Sequence, residues 1–388
     1  MKRFKSIGLA AVVFWLVAAA FTTIYITQPV LPVLQSEFGV SETQASLTIS
    51  MVVLGIALAN LPFGRLADRY RVKPLIAVGG FVVTACSFYC ALSEKLPALI
   101  AARFIQGLFL PCLTTCVAAY LSRTLPLHRL NVIMGSYISA TVAGGLGGRL
   151  LGGWIHPPLH WRYAFFSASV FLLAATLAAL FWLPGEKKQT GESAGEIGFV
   201  GLLRRTELLM IYAAAFSAFF VFSSIFNFLP FYLSGPPFNA STGVITMMYL
   251  SYLIGVVMGP LAGNISNRIG NGATMAMGAV VFAVSIGLTL IPSMIGVVLS
   301  LAGICAGFFA IHASAAGALN RKLTASRGRA NSLYVLFYYL GGYSGITLSG
   351  LVYVRAAWQG VTALGVLMLV VPLSVGILDI RRQRHKTV

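Results

Sequence analysis

The chain has 388 residues, of which 58% are apolar and only 9% are charged, and its formal net charge at neutral pH is +18. Soluble proteins carry about a quarter charged residues, so this composition excludes an ordinary soluble domain and predicts a protein solvated largely by lipid. The positive charge could also indicate nucleic-acid binding, and its distribution along the chain separates the two possibilities.

Apolar segments long enough to cross a bilayer recur along the whole chain. They are continuous and do not alternate, which favours helices over a barrel. The first segment follows Lys2, Arg3 and Lys5 as a signal peptide would, but it continues to Tyr25 without a clear cleavage site, so we interpret it as a span. We predict twelve membrane-spanning helices, near residues 7–28, 44–64, 73–93, 96–121, 130–153, 161–183, 207–233, 241–263, 271–292, 294–319, 328–352 and 357–380.

The 27 lysines and arginines fall mostly in the segments that share a side with the N-terminus. Lys95, Arg162 and Arg355 fall on the opposite side, and Arg103 and Arg149 lie within spans. This asymmetry follows the positive-inside rule. We therefore expect a multi-pass protein of a bacterial inner membrane with both termini in the cytoplasm, whose basic surface contacts anionic lipids and not nucleic acid.

A polar stretch at 184–206 divides the chain into two halves, 1–183 and 207–388, each with six predicted spans. The halves also resemble each other. A shift of 197 residues superimposes two glycine-rich segments, and known transporters are built from such six-helix repeats. The pairs that coincide are Tyr137 with Tyr334, Gly144 with Gly341, Gly145 with Gly342, Gly148 with Gly345, and Gly153 with Gly350. Pro29 and Pro230 form a further echo between the halves.

Three motifs resemble those of the major facilitator superfamily. Gly64, Asp68 and Arg69 stand in GRLADRYRVK, which is similar to the family's loop after its second helix. Arg103, Gln106 and Gly107 are similar to its fourth-helix signature. The fifth-helix signature of its antiporters is matched by glycines at positions 135, 144, 148, 152 and 153, whereas Arg149 replaces its proline. Further segments near His312 and Tyr334 resemble the arabinose-efflux-permease-like exporters.

The resemblance implies an all-α membrane fold of twelve helices in two pseudo-symmetric six-helix bundles. It also implies that Asp68 forms a conformational latch, with the positive end of a helix as a suitable partner for its carboxylate; an ordinary surface ion pair is the alternative. We assign conformational gating to the latch loop and the glycine segment together: Gly64, Asp68, Arg69, Gly144, Gly148, Arg149 and Gly152.

The cavity-facing positions of the family supply candidate substrate contacts. Polar side chains inside spans should face protein or water, and an embedded arginine is costly enough to suggest a function. Helix packing is the alternative for each tyrosine, and Arg149 could instead reach toward the headgroups. The candidates are Tyr25, Gln28, Arg103, Gln106, Asn227, Tyr334, Tyr338 and Tyr339.

All nine carboxylates fall in loops or at the ends of predicted helices. A transporter of cations commonly needs a buried carboxylate, so a neutral, zwitterionic or anionic substrate fits this chain better. His312 is the one histidine inside a predicted span, and its titration range suits proton exchange. A structural, hydrogen-bonded histidine is the alternative interpretation.

These observations predict a secondary active transporter that exports a small organic molecule, a drug or a metabolite, in exchange for protons. The alternative is an importer or facilitator of a small organic anion. The sequence has no Walker motif, so we do not expect nucleotide hydrolysis to drive transport. A non-transporting sensor lacks a soluble domain to support it, and an enzyme lacks an embedded metal cluster or a nucleophile–base pair. We expect a monomer in contact with membrane lipids, with no cofactor and no metal.

Overall fold

The computed structural model describes residues 2–125, 127–184, 198–323 and 326–387. Ten of its helical segments are long and apolar enough to cross a membrane. One of them, Gly328–Gln383, contains two helices, because Ala356 and Ala357 have non-helical backbone angles. The helix Leu127–Ile155, with 29 residues, is a further one of membrane-spanning length. The described residues therefore form the twelve long helices that the sequence predicts.

Several spans consist of more than one helical segment. The first span is interrupted by a 3-10 turn at Gln28–Val30, and the eighth by one at Tyr249–Tyr252. The helices are α1 (Lys2–Ile24), α2 (Leu31–Phe38), α3 (Glu42–Arg69), α4 (Val72–Leu92), α5 (Leu96–Leu113), α6 (Thr115–Thr124), α7 (Leu127–Ile155), α8 (Arg162–Trp182), α9 (Phe199–Leu203), α10 (Thr206–Ser234), α11 (Thr242–Met248), α12 (Leu253–Ile269), α13 (Asn271–Leu288), α14 (Met294–Arg321) and α15 (Arg327–Thr387).

The chain divides into two compact units. The first unit contains residues 1–40 and 47–192, and the second contains 41–46 and 193–388. In the first unit α1 packs on α7, while α4 packs on α5 and α8. In the second unit α10 packs on α15, and α13 packs on α14 and α15. Most of the predicted linker, 185–197, lies outside the described residues, and the short helix α9 lies in its remainder.

A seam of glycines lets α7 approach α1 closely within the first unit. A Cβ atom added at Gly144, Gly148 or Gly152 would overlap the backbone carbonyl of Ala18, Thr22 or Ile26, respectively. The Thr22 hydroxyl crosses the same seam and donates to the carbonyl of Gly144 at 3.3 Å. In lipid, helices associate through such close backbone approaches between small residues. The glycine spacing in the sequence therefore reports a helix–helix contact.

The second unit has an equivalent seam between α10 and α15. A Cβ atom at Gly341 or Gly345 would overlap the carbonyl of Phe216 or Phe220. Gly341 and Gly345 are the residues that the 197-residue shift pairs with Gly144 and Gly148. The glycines that the sequence repeat pairs therefore have the same packing role in the two units.

We expect Gly148→Ala to destabilise the protein, because the added methyl group would overlap the backbone of α1 at Thr22 and force α1 and α7 apart. Overpacking of this kind costs about 1–3 kcal/mol. Gly147→Ala is the matched control, since its Cβ atom would meet only the Thr22 hydroxyl, at 3.8 Å. Thermal unfolding in detergent should show a lower unfolding temperature for Gly148→Ala alone. Equal unfolding temperatures for the two variants would contradict the seam.

Candidate functional site

The functional candidates of the first unit surround the break in its first span. The helix α1 ends at Ile24, and the amide of Gln28 then bonds to the carbonyl of Tyr25 in a tighter turn. Pro29, which has no amide hydrogen, sits in the 3-10 turn that follows. The last carbonyls of a helix lack donors from their own helix, so a break inside a membrane must find donors elsewhere.

Arg103 of α5 supplies those donors. Its guanidinium is fully buried and donates to the carbonyl of Thr23 at 2.6 Å and to that of Ile24. Its Nε donates to the carbonyl of Thr48 on α3 at 2.9 Å. Because Arg carries five N–H donors in a fixed fork, one side chain can hold carbonyls from two helices at once. Arg103 therefore links α5 to both α1 and α3.

Gln106 extends the same network toward α4. Its Oε1 accepts from Arg103 at 2.7 Å, and its Nε2 donates to the Ser87 hydroxyl at 2.6 Å. Both ends of the buried amide are therefore satisfied by protein groups. Arg103 and Gln106, which the sequence places among the substrate contacts, bond here to each other and to the helices around them.

Arg149 approaches the break from α7. It is 2% exposed, and its Nε donates to Oε1 of Gln28 at 2.7 Å. Its Nη1 donates to the carbonyl of Gly145 at 2.7 Å, and its guanidinium carbon lies 3.9 Å from the centre of the Tyr25 ring. The cation–π contact and the amide oxygen stabilise a charge that lipid would not. The structure thus joins Tyr25, Gln28 and Arg149, which the sequence assigns to two different roles.

The candidates of the second unit lie in an aromatic cluster of α10, α14 and α15. The ring of Phe219 stacks on that of Tyr338 at 3.8 Å, and the ring of Phe222 stacks on that of Phe308 at 3.9 Å. Tyr339 stands edge-on to Tyr338, with centroids 5.3 Å apart. Large aromatic surfaces with a few hydroxyl groups can hold amphipathic molecules.

His312 and Tyr334 form a polar pair at the edge of this cluster. The Tyr334 hydroxyl lies 2.9 Å from Nδ1 of His312 and 3.3 Å from the carbonyl oxygen of the same residue. The imidazole also stacks on Phe308, with an interplanar angle of 13°. Tyr334 is 4% exposed, whereas His312 is partly accessible. The sequence names both residues but places them 22 positions apart, with no sign that they bond.

Asn227 forms no hydrogen bond with the other candidates among the described residues. It is fully buried in α10, and its Nδ2 donates to the Ser46 hydroxyl at 2.8 Å. Its Oδ1 has no hydrogen-bond partner among the described residues. An orphaned acceptor in a buried position is costly and is suited to receive a donor from a bound molecule.

The predicted latch is described only in part. An added Cβ atom at Gly64 would meet nothing within 4 Å, and Arg69 is exposed in the last turn of α3. The side chain of Asp68 lies outside the described residues.

Sequence reasoning missed the carbonyls that Arg103 binds, Ser87 and the ring faces of Phe219, Phe222 and Phe308. Backbone carbonyls have no sequence signature, and Pro29 is the one nearby signal of the break that frees two of them. The phenylalanines are typical of lipid-facing or core residues and so carry no separate signal.

The chain is similar to known proteins over most of its length. The profile of the Major Facilitator Superfamily matches residues 13–309 and 237–387. The inner membrane transport protein YnfM of Escherichia coli (strain K12) is 30% identical over 364 residues, which cover 92% of this chain and 87% of that protein. The uncharacterized MFS-type transporter YybF of Bacillus subtilis (strain 168) is 28% identical over 371 residues, with 93% and 91% covered.

Solved structures agree on the fold. A bacterial homologue of the human lysosomal transporter Spinster has a TM-score of 0.78 at 15% identity and covers 98% of this chain, which covers 97% of it in turn. The nucleoside transporter NupG has a TM-score of 0.78 at 14% identity, with 96% and 99% covered. Twelve spanning helices in repeated halves define a polytopic membrane carrier. The chain belongs to the Major Facilitator Superfamily and is a transporter, not an enzyme.

We expect Arg103→Lys to lower the unfolding temperature sharply, because an ammonium group cannot reach carbonyls of α1 and α3 together. Breaking a buried charged network costs about 3–5 kcal/mol. Arg355→Lys, at an exposed position, is the matched control and should unfold like the wild type. The measurement is thermal unfolding in detergent. An Arg103→Lys protein as stable as the control would show that the break does not depend on the guanidinium.

Proposed function

We propose that this transporter exports a small neutral, zwitterionic or anionic organic molecule in exchange for protons. The location of its carboxylates carries the proposal. Within the described chain, those whose side chain is placed lie in a loop or in the terminal turns of a helix: Glu37, Glu42, Glu94, Glu207 and, about two turns before the end of α15, Asp379. A cationic substrate would therefore find none of these carboxylates in the central part of the spans.

The glycine seam supports export. Its residues Gly144, Gly148 and Gly152 follow the spacing of the antiporter signature. Gly144 and Gly148 allow the close contact of α7 with α1, and Gly152 allows the contact of α7 with Ile26, just beyond α1. We propose that the bundles 1–183 and 207–388, joined by 184–206, expose the substrate alternately to the two sides of the membrane, as repeat-built transporters do. Asp68 and Arg69 would latch one of these states.

For substrate contacts we propose polar groups near the break, tyrosines of the aromatic cluster, and Asn227. They are Tyr25, Gln28, Asn227, Tyr338 and Tyr339. Asn227 has an unused acceptor, and the tyrosines offer aromatic faces. We propose that Arg103 and Gln106 act one step away, by holding the break in shape. The location we propose is a bacterial inner membrane, in keeping with the inner membrane transport protein of Escherichia coli to which the chain is similar.

A second function, uptake or facilitated passage of a small organic anion, is favoured by Arg149. Its buried guanidinium lies beside Gln28 and Tyr25, two of the proposed substrate contacts. An anion at this place would gain a charge-assisted hydrogen bond.

The substrate can be found by a thermal-shift screen of metabolites and drugs on the purified protein. A hit is then added to the outside of inverted membrane vesicles, where export appears as uptake into the vesicle. Accumulation that requires an acidic vesicle interior supports export in exchange for protons. Accumulation in right-side-out vesicles, or equilibration that ignores the pH gradient, favours the second function and contradicts the first.

We expect His312→Gln to abolish transport driven by a pH gradient while leaving substrate counterflow intact, because exchange of substrate needs no net proton movement. Driven uptake into proteoliposomes should fall to the level seen without a gradient. His160→Gln is the control, since that histidine is half exposed and lies outside the spans. Gradient-driven transport that survives in His312→Gln would rule out His312 as the coupling residue.

A further inference from the structure

The hydroxyl of Tyr334 touches two different atoms of one residue. It lies 2.9 Å from Nδ1 of His312 and 3.3 Å from the carbonyl oxygen of His312. The two side chains come from different helices, His312 from α14 and Tyr334 from α15, so the contact is fixed by packing within the second unit. A single hydroxyl therefore stands between an imidazole nitrogen and a backbone acceptor.

A tyrosine hydroxyl has one proton to donate and can also accept. When the neutral imidazole carries its proton on Nε2, the hydroxyl donates to Nδ1. When the proton is on Nδ1, that nitrogen donates to the hydroxyl oxygen, and the hydroxyl proton turns to the carbonyl of His312. Both arrangements use the same two distances, and in both Nδ1 is hydrogen-bonded.

The imidazolium ion has a proton on each nitrogen, so its Nδ1 must find an acceptor. The second arrangement already provides one, because the hydroxyl oxygen accepts from Nδ1 while its own proton is held by the carbonyl. Forming the cation then requires one new N–H bond at Nε2, made with a proton from water, and no other heavy-atom rearrangement. Inside a span, a cation with a satisfied hydrogen bond costs less than one without.

Among the described residues, the other groups around the imidazole do not accept a hydrogen bond from its Nδ1. Tyr338 of α15 approaches ring to ring at 5.1 Å, and Phe308 of α14 stacks at 5.9 Å. From α10, α12 and α13, which also pack against α14, the described residues place no charged or titratable side chain in hydrogen-bond or ion-pair contact with His312. Within the described chain, Tyr334 is thus the side chain on which the protonated ring depends.

We propose that Tyr334 is a positioning residue for proton uptake by His312, keeping Nδ1 hydrogen-bonded in both protonation states so that Nε2 receives the proton. The inference rests on the proposed function, in which His312 couples transport to protons. It also removes Tyr334 from the substrate contacts and assigns it to the proton site.

The test follows the histidine itself and needs no substrate. Protein labelled with ¹⁵N at its five histidines is placed in lipid nanodiscs, and the His312 signals are identified by their loss in His312→Gln. We expect Tyr334→Phe to move the titration midpoint of His312 about one pH unit or more toward acid, since the cation loses its acceptor. An unchanged midpoint in Tyr334→Phe would overturn the proposal.

Tyr212→Phe is the matched control. Tyr212 lies in the same unit, its hydroxyl bonds to the carbonyl of Ala330 at 3.3 Å, and its removal should leave the His312 midpoint in place. If Tyr334→Phe does not fold, ¹³C labelling of tyrosine Cζ in the unmodified protein gives the answer. The Tyr334 signal must move with the His312 midpoint, and a signal that ignores that midpoint overturns the proposal.

The two failures are separable. A His312 midpoint that depends on Tyr334, together with transport that ignores a pH gradient, would refute the proton coupling of the proposed function and leave the pairing intact. Transport that needs His312 and a gradient, together with a midpoint unaffected by Tyr334→Phe, would refute the pairing alone.

Discussion

The first unit depends on the bond between one arginine and the end of a broken helix. A break inside a span exposes carbonyls where no water can reach them, and each unsatisfied group costs several kcal/mol. A guanidinium in the same place is equally costly without acceptors. Arg103 and the carbonyls of Thr23 and Ile24 remove both costs together. The break and the buried charge therefore each lower the cost of the other.

The second unit also has a backbone carbonyl without a helical donor, but there a tyrosine hydroxyl supplies the hydrogen bond. Pro230 has no amide hydrogen, so the carbonyl of Phe226, four residues earlier, loses its helical donor. The Tyr249 hydroxyl donates to that carbonyl at 3.0 Å, and α10 continues unbroken to Ser234. Pro29 and Pro230 echo each other in the sequence, but one lies in a break and the other inside a helix. The shared glycine seams therefore support units whose interiors differ, one cationic and polar, the other aromatic.

The structural features that could be predicted are those that depend on the type and spacing of side chains along the sequence. Apolar run length gives the spans, and the glycine spacing at Gly144 and Gly148 gives the seam, because both depend on residue type alone. The role of Arg103 was not predictable in this way. Its sequence context says that a buried arginine needs partners, but its partners are backbone carbonyls, which become available only because α1 stops at Ile24. The bond between His312 and Tyr334 likewise depends on how two distant helices pack.

The different interiors of the two units limit the places inside the spans where a side chain can change its charge. The guanidinium of Arg103 is committed to carbonyls that hold the first span in shape, so its charge is a fixed structural element. The carboxylates whose side chains the structure describes lie in a loop or in the terminal turns of helices. A carrier that exchanges a substrate for protons needs, inside its spans, a group that exists in two charge states at little cost. A histidine satisfies that requirement where a neighbouring hydroxyl can both donate and accept, since the cation is then stabilised without a carboxylate and without moving a helix. His312 beside Tyr334 meets this condition, and that condition, rather than the presence of a histidine alone, makes proton exchange physically reasonable in this chain.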